Sequence, residues 1–263
     1  MIVTIYPQIV LNDIDLKEYI TAMIEHSNIS ASAMNKALHI QVTHIPNSEH
    51  LIWIIDDFID DFDALVEYSN TKAYFNPAGA DGTLFPGLRD EMPKPYYQTL
   101  SSLFELLAMQ PKGEMFKQHQ IAKCWLSKVT LTPLQLNAHQ TMPHFDSLAC
   151  HDMAAVHYLN DNNLGGTSFY RYKGADKLNL SHDDKDIILK MVDEVKQTAT
   201  NRKGYINDSD ELFEKVFSVD AKPNRLVIYS GNILHSANIT DDVEFDKKAL
   251  NNRTSINSFF SVA

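Results

Sequence analysis

Apolar residues follow two different spacings along this chain, and the change between them predicts its organisation. The run Leu51–Ile55 is apolar throughout and predicts a buried strand. Acidic residues then precede a stripe with helical spacing over Phe62–Tyr68, and a second such stripe predicts a helix over Tyr96–Met109. Between these helices, Phe75–Pro95 is rich in proline and glycine and predicts a long functional or mobile loop.

From about residue 122 onward the pattern is typical of β-structure. Apolar and aromatic segments of strand length are separated by turn residues such as Gly165 and Gly166. The predicted strands are Cys124–Leu131, Met153–Leu159, Thr167–Tyr170, Arg225–Tyr229 and Thr254–Phe260. Short strands separated by turns predict a sandwich or a barrel. We therefore expect a mainly β fold with flanking helices, in the α+β class.

We interpret the chain as one domain with two parts. Residues 1–121 form a support region of helices and strands, and residues 122–263 form the β core. A polar segment at about 174–223 interrupts that core as a helical insert, which we interpret as a lid or a packing flange. The further predicted helices are Leu16–Ile24, Asp183–Thr198 and Glu211–Phe217.

Composition indicates a cytoplasmic protein that binds neither nucleic acid nor membrane. At 263 residues the chain can bury a sizeable core without disulfides, and its two cysteines are expected to be reduced thiols. The net charge of −11 disfavours a phosphate backbone as partner, because nucleic-acid affinity depends on clustered Lys and Arg. Neither a signal-peptide pattern nor an apolar run of about 20 residues is present. The sequence leaves the oligomeric state open, and a homodimer is the commonest default for such proteins.

Two histidines and one aspartate have the residue types of a metal site. His144 and Asp146 are two positions apart, so on a strand their side chains would project from one face. His235 would reach the same ion from a different strand. Two imidazoles and a carboxylate can occupy one face of Fe(II) and leave the opposite face open. Arg253 follows His235 and supplies the cation that an anionic co-substrate beside the metal would need.

The His-x-Asp spacing alone is weak, since it recurs at His182 and Asp184. That second pair lies at a predicted helix start, where side chains at i and i+2 do not face each other, so we reject it as a ligand pair. Alternatives stay open for the first set. His144 and Asp146 would otherwise form a surface turn, and His235 would be a core histidine bonded to backbone.

The motifs follow one another in a distinctive order between Leu126 and Phe260. The order begins with a strand, the His-x-Asp motif and an apolar strand that ends in Tyr158-Leu159-Asn160. Two glycines and an aromatic strand come next. The order closes with an apolar strand that leads to His235 and a last strand that begins with Arg-x-Ser. This order resembles that of the Fe(II)/2-oxoglutarate dioxygenases, in particular the prolyl-4-hydroxylase-like branch. The resemblance implies a double-stranded β-helix core, a jelly-roll of the cupin type. It also implies that the iron ligands are His144, Asp146 and His235.

The same resemblance implies a co-substrate site. Arg253 matches the arginine that binds the distal carboxylate of 2-oxoglutarate, a task that suits a planar guanidinium. Ser255 and Tyr158 would add hydroxyl hydrogen bonds to that carboxylate. The implied enzyme uses O₂ to hydroxylate a C–H bond of a small molecule, amino acid or peptide, and converts 2-oxoglutarate to succinate and CO₂. Retention of Asp146 disfavours a halogenating variant, which needs that position vacant.

The spacing between His235 and Arg253 departs from the family, because it is longer than usual. We expect Thr240–Asp246 to form a hairpin extension that absorbs the excess. Two alternatives concern single residues: Arg253 would be a surface cation in an acidic protein, and Tyr158 an ordinary strand aromatic.

Arg89, in the long loop, is a candidate substrate residue. It either binds an anionic group of the substrate or braces the loop through Asp90 or Glu91. Two rival functions stay open for the whole chain. One is a non-catalytic, cupin-like barrel that binds a small acid or sugar, and the other is a zinc hydrolase that uses the same triad. The hydrolase leaves Arg253 and Tyr158 unexplained.

Overall fold

The computed structural model describes residues 33–160, 164–198, 204–239 and 252–263. Its strands are β1 (His39–His44), β2 (Leu51–Asp56), β3 (Gly87–Glu91), β4 (His119–Val129), β5 (Asp152–Tyr158), β6 (Thr167–Tyr172), β7 (Phe213–Val219), β8 (Leu226–Ser230), β9 (His235–Ala237) and β10 (Thr254–Val262). Its α-helices are α1 (Phe62–Thr71), α2 (Lys94–Leu107) and α3 (Lys185–Gln197). The fold is mainly β, as predicted. The helix predicted over Leu16–Ile24 and the hairpin predicted over Thr240–Asp246 lie outside the described residues.

The large sheet contains seven strands in the order β1-β2-β8-β5-β10-β4-β3, with every neighbouring pair antiparallel. The predicted loop Phe75–Pro95 contains edge strand β3, so the prediction of an irregular connection throughout is wrong. Strand β3 pairs with β4 through register partners that include Arg89 and Ser127. Strand β3 is short and carries charges on successive residues, as is typical of an edge strand. These charges conceal the alternation of apolar and polar residues by which a half-buried strand is predicted from sequence.

Alternate residues of the central strands face two separate apolar cores. In β8, Val227 and Tyr229 lie in a core that also includes Phe169 of the small sheet. Leu226 and Ile228 lie on the opposite face, in the core beneath the helices. Strands β2 and β5 divide their residues in the same way. Because both faces are buried, these strands are continuous apolar runs in the sequence.

Helices α1 and α2 cover the outer face of the large sheet. The carboxylate of Asp61 caps α1 by accepting from the backbone N–H of Ala64 at 3.2 Å. Helix α2 buries an apolar face that includes Leu100 and Phe104, and the Phe104 ring lies 4.3 Å from that of Phe260 in β10. Within the described residues no helix is long and apolar enough to cross a lipid bilayer.

His157 lies in the helix-covered core and links three parts of the fold. Its Nδ1 lies 3.2 Å from the Tyr96 hydroxyl of α2, and its Nε2 lies 3.2 Å from Oδ1 of Asn224. The Asn224 side chain in turn bonds both the N–H and the carbonyl of Ile59. Burial lowers the pKa of His157 to about 4, so the ring is neutral at neutral pH. The network therefore ties the N-terminal segment to the sheet.

The small sheet has the order β7-β6-β9 and packs its inner face toward the large sheet. The helix predicted over Glu211–Phe217 is wrong, because Phe213–Val219 is strand β7 and pairs with β6. Phe213 and Val219 at its ends are buried, and Glu214 and Ser218 are exposed. The three residues between those two are partly buried, so the strand has no clean period of two that the sequence could have shown. The helix predicted over Asp183–Thr198 is confirmed as α3 and the turn before it.

Candidate metal centre and cavity

His235 begins β9 immediately after the turn that follows β8. Its Nδ1 lies 2.8 Å from the carbonyl oxygen of Ile233 and donates to it, so the proton resides on Nδ1. The Nε2 lone pair is thereby left for a cation. An imidazole that donates through one nitrogen to a backbone carbonyl and binds metal through the other is the usual arrangement of a protein ligand.

His144 and Asp146 lie in an irregular segment, so the prediction that one strand presents both residues is wrong. His144 forms an isolated bridge with His235, in which each N–H donates to the other residue's carbonyl, at 2.9 and 2.8 Å. The N–H of Asp146 donates to the carbonyl of Gly231 at 2.7 Å. Phe145, between the two ligands in sequence, lines the same cavity as they do.

These backbone bonds bring the three predicted ligands together. Nε2 of His235 lies 3.4 Å from Oδ2 of Asp146, and Nε2 of His144 lies 3.8 Å from Oδ1 of Asp146. One donor atom from each residue lies within 4.8 Å of the others. Ligand atoms that share one ion at about 2.0–2.2 Å lie about 3–3.5 Å apart, so the donor set fits a single metal ion after small adjustments. Among the described residues this is the one cluster of His, Cys, Asp and Glu with metal-ligand spacing.

The electrostatics of the triad favour a bound cation. Burial lowers the pKa of His144 to about 4, with His235 adding to the effect, and burial likewise lowers that of His235 to about 4. Both rings are therefore neutral at neutral pH and have a lone pair to donate. Burial raises the pKa of Asp146, and the charge of Arg89 opposes that rise. A divalent cation would supply the positive charge that this carboxylate lacks.

The rejected pair behaves as the sequence predicts. His182 and Asp184 lie in a 3₁₀ turn before α3. The Asp184 carboxylate accepts from the backbone N–H and the hydroxyl of Ser181, at 2.9 and 2.8 Å, and pairs with Lys177 at 2.8 Å. This carboxylate is a helix cap and an ion-pair partner.

The triad opens into a cavity of about 550 Å³ between the two sheets. That volume suits a small organic ligand together with a co-substrate. Ala154 and Val156 form part of its wall, whereas His157 lies on the opposite face of the sheet. The rest of the lining is mainly apolar and aromatic, and two arginines, Arg89 and Arg253, are its buried cations.

Arg253 lies just before β10 and is 5% exposed, so the alternative of a surface cation is wrong. Its Nε donates to the carbonyl of Gly165 and its Nη2 to that of Gly166, each at 3.2 Å. The guanidinium also lies 5.5 Å from the centre of the Tyr158 ring. Burial lowers the pKa of Arg253, which remains a cation because its usual value is so high. The long spacing after His235 therefore still brings Arg253 to the cavity that holds the triad.

Tyr158 and Ser255 lie one layer behind the cavity surface. The Tyr158 hydroxyl shares a 2.7 Å hydrogen bond with Oγ1 of Thr167, and the Ser255 hydroxyl donates to Oδ1 of Asn257 at 3.1 Å. Thr167 and Asn257 line the cavity, whereas Tyr158 and Ser255 are not among the described lining residues. In this arrangement the two predicted residues contact cavity-lining side chains.

Arg89 projects from β3 into the cavity and does not brace the loop through Asp90 or Glu91. Its Nη1 donates to Oδ2 of Asp81 at 3.1 Å and to Oγ1 of Thr83 at 3.3 Å. Asp90 instead accepts from the backbone N–H of Tyr74, and Glu91 pairs with Lys123. In this structure Arg89 therefore braces the loop through the carboxylate of Asp81.

Several cavity residues escaped prediction from sequence. The carbonyls of Gly165 and Gly166 hold Arg253, although the sequence indicated only a turn. Gly165 has φ +81°, and a Cβ there would lie 1.5 Å from the Asn238 carbonyl oxygen, so the position requires glycine. Paired glycines between strands were the available signal. No sequence signal pointed to Thr167 and Asn257, because nothing in the sequence distinguishes a cavity-lining polar residue on a strand from an ordinary one.

One family model matches most of the chain. The model described as "Family of unknown function (DUF6445)" matches residues 36–260. No curated protein matches the chain.

Several solved structures are similar to the chain at low sequence identity. The epimerase SnoN from nogalamycin biosynthesis, described as non-heme and alpha-ketoglutarate dependent, is 13% identical over 76% of this chain and 70% of its own, with a TM-score of 0.43. HygX from Streptomyces hygroscopicus, with nickel, 2-oxoglutarate and hygromycin B bound, is 8% identical over 80% and 82%, also with a TM-score of 0.43. An N-substituted L-amino acid dioxygenase from Burkholderia ambifaria is 10% identical over 86% and 95%, with a TM-score of 0.36.

Proposed function

The chain belongs to the DUF6445 family, and we propose that it is an Fe(II)- and 2-oxoglutarate-dependent oxygenase. One observation carries the proposal: three metal-type donors and a buried arginine face the same cavity. Two imidazoles and one carboxylate are the donor set of non-haem Fe(II) oxygenases. A zinc hydrolase leaves the buried arginine unexplained, and a barrel that only binds a small acid leaves the triad unexplained.

The fold proposal goes one step further than the antiparallel sheets themselves. We assign the two sheets, with the triad between them, to a double-stranded β-helix, and the chain to the prolyl-4-hydroxylase-like branch. In this assignment residues 122–263 are the core and residues 1–121 its support region. The continuity of β1, β2 and β3 with the large sheet supports a single domain.

In this proposal each residue of the site has one task. His144, Asp146 and His235 hold Fe(II), and the bond from His235 to the Ile233 carbonyl keeps its Nε2 directed at the ion. Arg253 binds the distal carboxylate of 2-oxoglutarate. Bound iron, with 2-oxoglutarate and O₂, would supply the oxidation of a C–H bond to an alcohol, releasing succinate and CO₂.

Supporting residues keep the co-substrate site rigid and dry. Gly165 and Gly166 fix the Arg253 guanidinium from behind, so less side-chain entropy is lost when a carboxylate binds. Tyr158 and Ser255 position Thr167 and Asn257, which reach the cavity surface. The apolar wall at Ala154 and Val156 excludes water from the charged groups and strengthens their interactions. The substrate we propose is a small molecule, amino acid or peptide.

The experiment is a turnover assay that counts succinate. Purified protein is mixed with Fe(II), 2-oxoglutarate and O₂, and succinate is measured with time. We expect the wild type to form succinate slowly even without substrate, and Asp146→Ala to form none. The exposed Asp183→Ala is the matched control and retains the wild-type rate. Equal succinate from Asp146→Ala and wild type would refute the triad assignment.

A further inference from the structure

Arg89 has more hydrogen-bonding capacity than the chain uses. Among the described residues, the Arg89 side chain forms hydrogen bonds only through Nη1, which donates to Asp81 and Thr83. Its Nε is buried and has no hydrogen-bond partner among them. The residue is 9% exposed, and its guanidinium lies 4.3 Å from the centre of the Phe85 ring. A planar guanidinium is suited to two parallel bonds with one carboxylate, and here a single nitrogen meets Asp81. An incompletely bonded, buried cation at a cavity wall is a ready anion site.

The charges of the cavity leave Arg89 without a task in co-substrate binding. On the proposed function, one carboxylate of 2-oxoglutarate binds at the metal and the other pairs with Arg253. Arg89 lines the same cavity as the triad. The second cation is therefore available to a second anionic molecule.

Asp81 is the present counter-ion, and its segment can yield. It lies in a turn between Gly79 and Gly82, which have φ of +79° and +75°. A Cβ at either glycine would meet nothing within 4 Å, so there is open space beside both of these positions. The carboxylate of Asp81 can therefore leave Arg89 without disrupting an apolar core.

The wall around Arg89 defines the remainder of the ligand. Trp125, Phe145, Phe259 and Met142 line the same cavity. Such a wall favours a ligand with an apolar or aromatic group, because burial of that group against the wall removes apolar surface from water.

We propose that the substrate is an aromatic or apolar carboxylate whose anionic group displaces Asp81 from Arg89. This rests on the proposed function only in assigning Arg253 to the co-substrate. It makes Arg89 a specificity residue and Asp81 an internal competitor for the same guanidinium. The two partners of the ion pair should consequently affect ligand binding in opposite directions.

The test compares 3-phenylpropanoate with 3-phenylpropanamide, which differ only in the charged group. Calorimetry gives the dissociation constant of each for protein loaded with Fe(II) and 2-oxoglutarate without O₂, and for metal-free protein. The variants are Arg89→Gln, Arg89→Lys and Asp81→Asn. Arg171 and Asp176 form a matched control. Nη1 of Arg171 donates to Oδ1 of Asp176 at 2.8 Å, and neither residue lines the cavity. The control variants are Arg171→Gln and Asp176→Asn, and thermal melting establishes that each variant is folded.

We expect the wild type to bind the acid about tenfold more tightly than the amide. Arg89→Gln should abolish this preference, Arg89→Lys should keep part of it, and Asp81→Asn should strengthen acid binding several-fold while leaving amide binding unchanged. The control variants should behave as wild type. Equal binding of acid and amide, binding of neither, or weakening of acid binding by Asp81→Asn would overturn the inference.

The outcomes also separate this inference from the proposed function. If 2-oxoglutarate binds at the loaded iron but acid and amide bind equally, the inference alone is wrong. If no iron or 2-oxoglutarate binds but metal-free protein shows an Arg89-dependent preference for the acid, the proposed function is wrong. In that second case the carboxylate site stands as that of a binding protein.

Discussion

Oδ2 of Asp146 lies 3.4 Å from Nε2 of His235, although the two residues come from distant parts of the chain. The contact is imposed by the backbone, because the Asp146 N–H bonds the Gly231 carbonyl and His144 pairs with His235 itself. The metal site is thus assembled when the turn after β8 meets the irregular segment at residues 143–147. A carboxylate and an imidazole this close at the wall of one cavity are stabilised by a shared cation.

Removing one imidazole of the triad should greatly weaken metal binding. We expect His144→Ala to bind Fe(II) at least about a hundredfold more weakly, since loss even of an outer partner of a metal ligand costs about 10–100-fold. His182→Ala, at the exposed histidine of the second His-x-Asp motif, is the matched control and should bind Fe(II) as wild type does. Anaerobic equilibrium dialysis against Fe(II) measures both. Equal affinities in the two variants would contradict the assignment.

Replacing Arg253 by lysine should weaken 2-oxoglutarate binding while metal binding persists. Lysine keeps the charge but loses the planar fork that can bond two carboxylate oxygens. We expect the dissociation constant for 2-oxoglutarate to rise about ten- to a hundredfold, the usual cost of impairing a charge-assisted hydrogen bond. Titration of 2-oxoglutarate into the Fe(II)-loaded variants tests this. Arg171→Lys is the control, and a wild-type constant in Arg253→Lys would remove Arg253 from the co-substrate site.

Gly165→Ala should affect both stability and the co-substrate site. The new Cβ would meet the Asn238 carbonyl at 1.5 Å, and the carbonyl of Gly165 would move away from Arg253. We expect the free energy of unfolding to fall by more than about 1 kcal/mol, the cost of a positive φ alone. Gly79→Ala isolates that cost, because Gly79 has φ +79° and open space around it. Urea unfolding measures both variants, and equal losses would show that the close approach at Gly165 is unimportant.

The buried His157 predicts how stability depends on pH. Its pKa is lowered to about 4 in the folded protein, whereas an unfolded histidine titrates near 6.5. The unfolded state therefore takes up the proton first as pH falls. The contribution of His157 is fully present above about pH 6.5 and is lost progressively toward pH 4, by about 1.4 kcal/mol per pH unit.

Substitution of His157 isolates this contribution. His144 and His235 add similar dependences in metal-free protein, so the difference between variants is the readout. We expect His157→Phe to be less stable at pH 7, because Tyr96 and Asn224 lose their partner, and to show a shallower fall below pH 6.5. The same substitution at exposed His182 is the control. Identical pH slopes for wild type and His157→Phe would show that the ring is not neutral in the folded state.

The sequence was sufficient for the elements that are buried on both faces and for the metal donors. Leu51–Ile55 and Met153–Leu159 are strands because continuous apolar runs of that length fit a sheet covered on both sides. The residue types at His144, Asp146 and His235 limited the chemistry. Their geometry was predicted for the wrong reason, since backbone bonds to β9 and its preceding turn bring them together rather than a shared strand.

Long-range contacts account for what the sequence could not show. Strand β3 is an edge strand defined by its pairing with β4, and β7 is defined by β6. Neither partner is near in sequence, and propensity for strands depends on such context. The bond between Arg89 and Asp81 is similar, because nothing in the local sequence favours Asp81 over the adjacent Asp90.

The most direct test of the central claim is an anaerobic titration of metal-free protein with Fe(II) and then 2-oxoglutarate. The measurement is the visible charge-transfer band that forms when 2-oxoglutarate chelates the iron. The account predicts a band in the wild type, no band in His235→Ala and a band that needs more 2-oxoglutarate in Arg253→Ala. Folded wild-type protein that gives no band would contradict the account and favour a barrel that binds its ligand without oxidising it.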